Sequence, residues 1–151
     1  MKPAPLHPGD TIAVVAPASA PREAARLDAG IDYLRRLGYR VETGRTDFGP
    51  HGFLCGPDDV RLEEFNAFLR RDDVRALFCV RGGYGTLRLL PHLDYDAARR
   101  RPKLLVGYSD VTALHLGGSR AVTDEGLRHL VRGRRVDGVV GQPEDRVGRL
   151  R

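Results

Sequence analysis

Short strand-like runs alternate with amphipathic segments along the first 116 residues, and this alternation restricts the fold more than any other feature of the chain. Residues 11–16, 74–80 and 103–107 are nearly continuous apolar runs, which is typical of strands that are covered on both faces. Residues 39–43 form a shorter and more polar strand candidate. We therefore predict four strands.

The intervening segments carry apolar residues at helical spacing. Apolar residues recur every three or four positions at Ala24, Leu27, Ile31 and Leu34, and Gly38 then provides a helix stop. The other predicted helices are a long one marked by Leu62, Phe65, Phe68 and Leu69, a short one over residues 94–100, and one from about Val111.

Alternating strands and helices predict an α/β fold with a doubly wound, mostly parallel sheet and helices on both faces. In such sheets the site lies beyond the carboxyl ends of the strands. Three loops leave those ends here, at residues 17–21, 81–85 and 107–110. We expect these loops to lie close together.

The last of these loops, Gly107-Tyr108-Ser109-Asp110, lies where a strand turns into a helix. This is the geometry that exposes the hydroxyl of a catalytic serine beside unpaired helix amides. Val111 replaces the second glycine of the usual hydrolase pattern. On local grounds alone, a helix N-cap is the competing interpretation of Ser109 or Asp110.

The segment Arg81-Gly82-Gly83-Tyr84-Gly85 follows the third strand. Its glycines allow backbone amides to approach an anion closely, or simply allow a tight turn. It lacks the Lys-Ser/Thr pair of a phosphate loop and does not match a dinucleotide fingerprint.

Several motifs in a fixed order resemble the LD-carboxypeptidase family. They are the opening segment at residues 6–17, RGGYGTLRLLP at 81–91, LDY at 93–95, PK at 102–103 and GYSDVTAL at 107–114. The resemblance covers about Lys2 to Leu116.

This family includes serine peptidases that remove the terminal D-alanine from murein tetrapeptides at an L,D bond, and relatives that inactivate microcin C. The resemblance implies that Ser109 is the nucleophile and that the amides of Gly83 and Asp110 form the oxyanion hole. Gly82 and Tyr84 would belong to the substrate loop. No metal or organic cofactor is implied.

The resemblance ends in the middle of the last predicted helix. We expect residues 1–116 to form the family's N-terminal domain, and residues 117–151, rich in Arg, Gly and Val, to be a frameshifted or disordered tail. The family's Ser-Glu-His triad draws its glutamate and histidine from a C-terminal domain, which we expect to be absent. The chain alone would then be inactive or very slow.

Histidines within the chain are weaker candidates for the base. Glu125 and His129 have helical spacing, but Gly126 separates them and a solvated surface pair is the favoured interpretation. His115 lies six residues beyond Ser109, on the wrong face of one helix.

Two other hypotheses stay open from the sequence: the chain is a peptide- or anion-binding module without catalysis, or it is a product that misfolds or is degraded.

The formal net charge is +5, of which residues 117–151 contribute +3. Because no aromatic residues interleave with this charge, we expect no nucleic-acid partner. We expect a cytoplasmic protein without membrane association, a small murein-type peptide as partner, with a homodimer as one option, and packing roles for Cys55 and Cys79.

Overall fold

A computed structural model describes residues 3–44 and 50–121, with side chains described as far as residue 118. The strands are β1 (Thr11–Val15), β2 (Arg40–Thr43), β3 (Val74–Cys79) and β4 (Leu104–Val106). The helices are α1 (Ala24–Arg36), α2 (Asp58–Arg70), α3 (Thr86–Leu89), α4 (Tyr95–Arg100) and α5 (Thr112–Ala121), with 3₁₀ turns at Leu90–His92 and Ser109–Val111. In this part of the chain, no helix is long and apolar enough to cross a membrane.

The four strands form one parallel sheet in the order β2-β1-β3-β4. This confirms the predicted α/β fold with a parallel sheet. The chain moves outward from β1 to β2 and then returns past β1 to β3, so the direction of winding reverses between β1 and β3. Such a reversal opens a crevice at the carboxyl ends of the two strands, which is where ligands bind in sheets of this kind.

The main core lies on the face of the sheet that α2, α4 and α5 cover. Ala13 and Val15 of β1 and Leu77 of β3 are buried there against Phe65 of α2 and Leu114 of α5. Side chains alternate between the two faces of a strand, so Ile12 and Val14 point to the opposite face.

Helix α1 covers that opposite face only lightly. Of the four apolar positions that mark it in the sequence, Ile31 is buried, Leu27 and Leu34 are half-buried, and Ala24 is exposed. The predicted periodicity is therefore present, but the helix leaves open space beside the sheet.

Several predicted boundaries differ from those observed. Asp94 is the N-cap of α4 and not its first residue, since its carboxylate accepts a hydrogen bond from the Ala97 amide at 2.9 Å. Helix α5 begins at Thr112, after the 3₁₀ turn, and continues past Leu116 to Ala121. The proposed tail lies outside the described residues from position 122 onward.

A fully buried arginine joins the loops beneath the carboxyl edge of the sheet. The guanidinium of Arg61, on α2, donates to the carbonyl of Pro17, to the carboxylate of Asp58 and, at 3.2 Å, to the carbonyl of Gly56. Asp58 also pairs with Arg88 at 2.6 Å. These hydrogen bonds hold the loop after β1 and the turn before α2 against Arg61. Moving either segment away would leave an unsatisfied polar group in the interior, which is unfavourable.

We expect Arg61→Met to lower the free energy of unfolding by about 3 kcal/mol, because the carbonyls of Pro17 and Gly56 lose their donor. The matched control is Arg35→Met, which removes an exposed pair with Asp32 and should cost no more than about 0.5 kcal/mol. Urea denaturation followed by circular dichroism measures both. Equal effects of the two substitutions would contradict the structural role of Arg61.

Candidate functional site

Three loops meet at the carboxyl edge, beside the reversal between β1 and β3. The loop after β1 lies against the loop after β3, where the guanidinium of Arg81 donates to the carbonyl of Ala20 at 3.2 Å. The loop after β3 in turn lies against the loop after β4, through Gly82 and Tyr108. The expectation that these loops lie together is thus confirmed by their contacts.

Ser109 lies at the tip of a strained turn. Its φ of 59° falls in the left-handed region, and it is the one non-glycine residue with positive φ among those described. Such a conformation costs about 1–3 kcal/mol unless the surroundings enforce it. Strand β4 ends just before the turn, α5 begins just after it, and the Ser109 side chain is exposed. The arrangement matches the turn that presents a nucleophilic serine.

Gly82 packs directly against this turn. A Cβ placed on Gly82 would lie 2.8 Å from the carbonyl oxygen of Tyr108, 2.9 Å from Cβ of Ser109 and 3.1 Å from the amide nitrogen of Asp110. No side chain fits in that space without displacing the backbone. A glycine is therefore required by close approach, and not only by turn geometry.

Gly83 adopts a conformation that favours glycine, with φ of 124°. A Cβ at this position would overlap the hydroxyl of Ser19, in the loop after β1. The backbone of Gly83 is nevertheless exposed at the surface of the site, whereas Gly82 is buried. A ligand at Ser109 can thus approach the backbone of Gly83.

The side chain of Asp110 connects the serine turn to the segment after the glycines. Its carboxylate accepts a hydrogen bond from the Thr86 amide at 2.9 Å, and its carbonyl accepts one from the Thr86 hydroxyl at 2.6 Å. Thr86 is completely buried. This side-chain contact with Thr86 is additional to the two predicted roles of Asp110, which were an oxyanion amide and a helix N-cap.

The amides of Gly83 and Asp110 are among those of the three loops that donate to no acceptor in the described part of the chain. Free amides beside an exposed hydroxyl are the donors that an oxyanion hole requires. The assignment of the Gly83 and Asp110 amides to an oxyanion hole stays a prediction.

No general base contacts Ser109 in the described part of the chain. Within residues 3–44 and 50–118, no side chain is hydrogen bonded to the Ser109 hydroxyl. The ring of His115 lies 3.1 Å from the carbonyl of Leu105, on the side of β4, in agreement with the expectation that it faces away from Ser109. Glu125 and His129 lie outside the described residues.

An open cleft of about 1000 Å³ extends from Ser109 along α1. Tyr108 lines it and is exposed, while Tyr84 is exposed on the glycine loop but does not line it. Cys79 also lines the cleft, but burial raises the pKa of its thiol to about 12. Since the thiolate is the reactive form, Cys79 is a poor nucleophile at neutral pH. Cys55 is buried, so both thiols are packed as predicted.

Metal ligation finds no support in the described part of the chain. No group of three or more His, Cys, Asp or Glu side chains is arranged there to hold an ion.

We expect Gly82→Ala to lower the free energy of unfolding by about 2 kcal/mol, because the new methyl group overlaps the backbone of the serine turn. Gly30→Ala is the matched control. A Cβ at Gly30, inside α1, meets no atom within 4 Å, so this substitution should stabilise the protein by about 0.5–1 kcal/mol. Urea denaturation of the two variants measures the difference. A Gly82→Ala variant as stable as the parent would contradict the close contact.

Comparison with known proteins identifies a family model described as the LD-carboxypeptidase N-terminal domain, which matches residues 12–125. A curated relative, the probable murein peptide carboxypeptidase of Bacillus subtilis (strain 168), is 42% identical over 114 residues, which are 76% of this chain and 35% of the relative. The Microcin C7 self-immunity protein MccF of Escherichia coli is 38% identical over 121 residues, covering 76% of this chain and 34% of that protein.

Solved structures of MccF and of a muramoyltetrapeptide carboxypeptidase are also similar to this chain. Wild-type MccF in its apo state superimposes with a TM-score of 0.76 at 32% identity, covering 81% of this chain and 37% of that one. A muramoyltetrapeptide carboxypeptidase from Oxalobacter formigenes gives a TM-score of 0.66 at 30% identity, covering 74% and 37%. The chain spans about a third of the length of the curated relatives it matches.

Proposed function

This chain belongs to the LD-carboxypeptidase family, and from that premise we propose that it carries the nucleophile of a serine carboxypeptidase that acts on murein peptides. The proposed reaction is hydrolysis of an L,D bond with release of terminal D-alanine, a step in peptidoglycan recycling. The observation that carries this proposal is the exposed, strained Ser109, with the Asp110 amide next to it in the same turn and the Gly83 amide in the adjoining glycine loop, neither with an acceptor among the described residues.

The proposed chemistry is acyl transfer through an ester. The Ser109 oxygen attacks the carbonyl carbon of the L,D bond and gives its proton to a base. The negative charge that forms on the carbonyl oxygen is stabilised by the amides of Gly83 and Asp110. The C–N bond then breaks, D-alanine leaves with a protonated amine, and water hydrolyses the ester to restore Ser109.

The base in this proposal comes from outside the described residues. A serine hydroxyl is a weak nucleophile unless a neighbouring group removes its proton, and the resemblance assigns that task to a histidine oriented by a glutamate in a C-terminal domain. Because no described side chain is hydrogen bonded to the Ser109 hydroxyl, we propose that residues 1–151 alone turn over substrate very slowly.

The test uses the 151-residue chain and the separately produced C-terminal two thirds of the Bacillus subtilis relative. We expect a mixture of the two to release D-alanine from a murein tetrapeptide, in a coupled amino-acid oxidase assay, faster than either part alone. Ser109→Ala in the chain should reduce this rate about a thousandfold or more, because the residual rate depends on binding alone.

Two outcomes of that assay would contradict the proposal. Unchanged release with Ser109→Ala would exclude this serine as the nucleophile. Rapid release by the chain alone would contradict the need for an added base, and Glu125→Gln and His129→Gln would then show whether the chain's own residues supply it.

A binding module without catalysis is the second candidate. It is favoured by the combination of free amides and the absence of a base hydrogen bonded to Ser109 among the described residues. Saturable binding of the tetrapeptide without D-alanine release, in the mixture as well as in the chain alone, would support it over the peptidase.

A further inference from the structure

Arg81 is one of the charged side chains that line the cleft, and it has no role in the chemistry described above. Arg81 lies two residues beyond the end of β3 and directly precedes Gly82, which touches the serine turn. Its side chain is half-buried and lines the same cleft as Ser109. Arg81 is therefore adjacent in sequence to a residue that contacts the serine turn, and it lines the same cleft as Ser109.

The charge of Arg81 is not neutralised within the described part of the chain. One guanidinium nitrogen donates to the carbonyl of Ala20 at 3.2 Å, and no described carboxylate lies within ion-pairing distance. Arg26, which lines the same cleft, is by contrast paired with Glu23 at 3.1 Å. Holding a partly desolvated cation without a counter-ion is unfavourable, so this site is suited to an anion supplied by a ligand.

The tether to Ala20 also orients the guanidinium. It uses one of the five N–H donors, which leaves the others available for a planar, two-point contact with a carboxylate. The carboxylate of a carboxypeptidase substrate belongs to the residue just beyond the bond that is cut. Since one residue spans at most about 3.6 Å, that group must lie near Ser109.

We infer that Arg81 binds the terminal carboxylate of the leaving amino acid and thereby restricts cleavage to the free end of a peptide. This assignment rests on the proposed function, because it takes Ser109 as the position of the cut bond. Arg81 is a specificity-determining residue in this scheme, and Arg26 is not, because its charge is already satisfied by Glu23.

The experiment compares two synthetic tetrapeptides that end in D-alanine, one with a free carboxylate and one with a C-terminal amide. Their binding to the full 151-residue chain carrying Ser109→Ala is measured by NMR titration. We expect the acid to bind about tenfold more tightly than the amide or better, since a charged hydrogen bond is lost in the amide. Arg81→Gln should abolish this preference, Arg81→Lys should retain part of it, and Arg26→Gln should leave it unchanged.

Equal affinity for acid and amide in the parent chain would overturn the inference without any variant. It would be overturned equally by no detectable binding of either peptide, or by a preference that survives Arg81→Gln in a variant with a native spectrum. Failure of the proposed function gives a different result: the preference depends on Arg81, while the reconstituted mixture with an intact Ser109 releases no D-alanine.

Discussion

The contact between Gly82 and the Tyr108–Ser109 turn is the constraint on which the rest of the site depends. Strands β3 and β4 are parallel neighbours, so the loops that follow them leave the sheet at the same edge. The absence of a side chain at Gly82 lets the two backbones touch, and the pair of hydrogen bonds between Thr86 and Asp110 fixes the contact on its far side. The free amides of the site lie on the two segments that are joined in this way.

Polar interactions hold these loops more than apolar packing does. The apolar core lies between the sheet and α2, α4 and α5, below the level of the site. At the edge itself the loops are joined by the buried guanidinium of Arg61, which contacts the loop after β1 and the turn before α2 and lies close to Gly85. Helix α1, on the other face, is packed loosely and borders the cleft. The loops that carry the site are therefore held firmly by these contacts, whereas helix α1, which borders the cleft, is held by fewer contacts.

Much of this arrangement follows from the sequence, but the contacts that fix it do not. The alternation of apolar runs and helical periodicity was enough to predict the sheet, and the rule for parallel sheets was enough to bring Ser109 and the glycine loop together. The partnerships of Arg61 with Pro17 and of Asp110 with Thr86 join residues 44 and 24 positions apart. No local pattern encodes them, because they depend on how the loops meet after the sheet has formed. Helix α3, with four residues, is too short to show periodicity.

The strained conformation of Ser109 indicates that the residues around it are rigid. Holding a serine at φ of 59° requires surroundings that are already rigid, and here β4, the 3₁₀ turn and the Thr86–Asp110 pair provide them. Donors that are fixed before a substrate arrives need no reorganisation when charge develops, which is the main source of oxyanion stabilisation. The contacts that hold Ser109 in this conformation lie within the residues that the structure describes, so the position of the proposed nucleophile is fixed there. A base contributed from elsewhere would then set the reaction rate without having to shape the site that it activates.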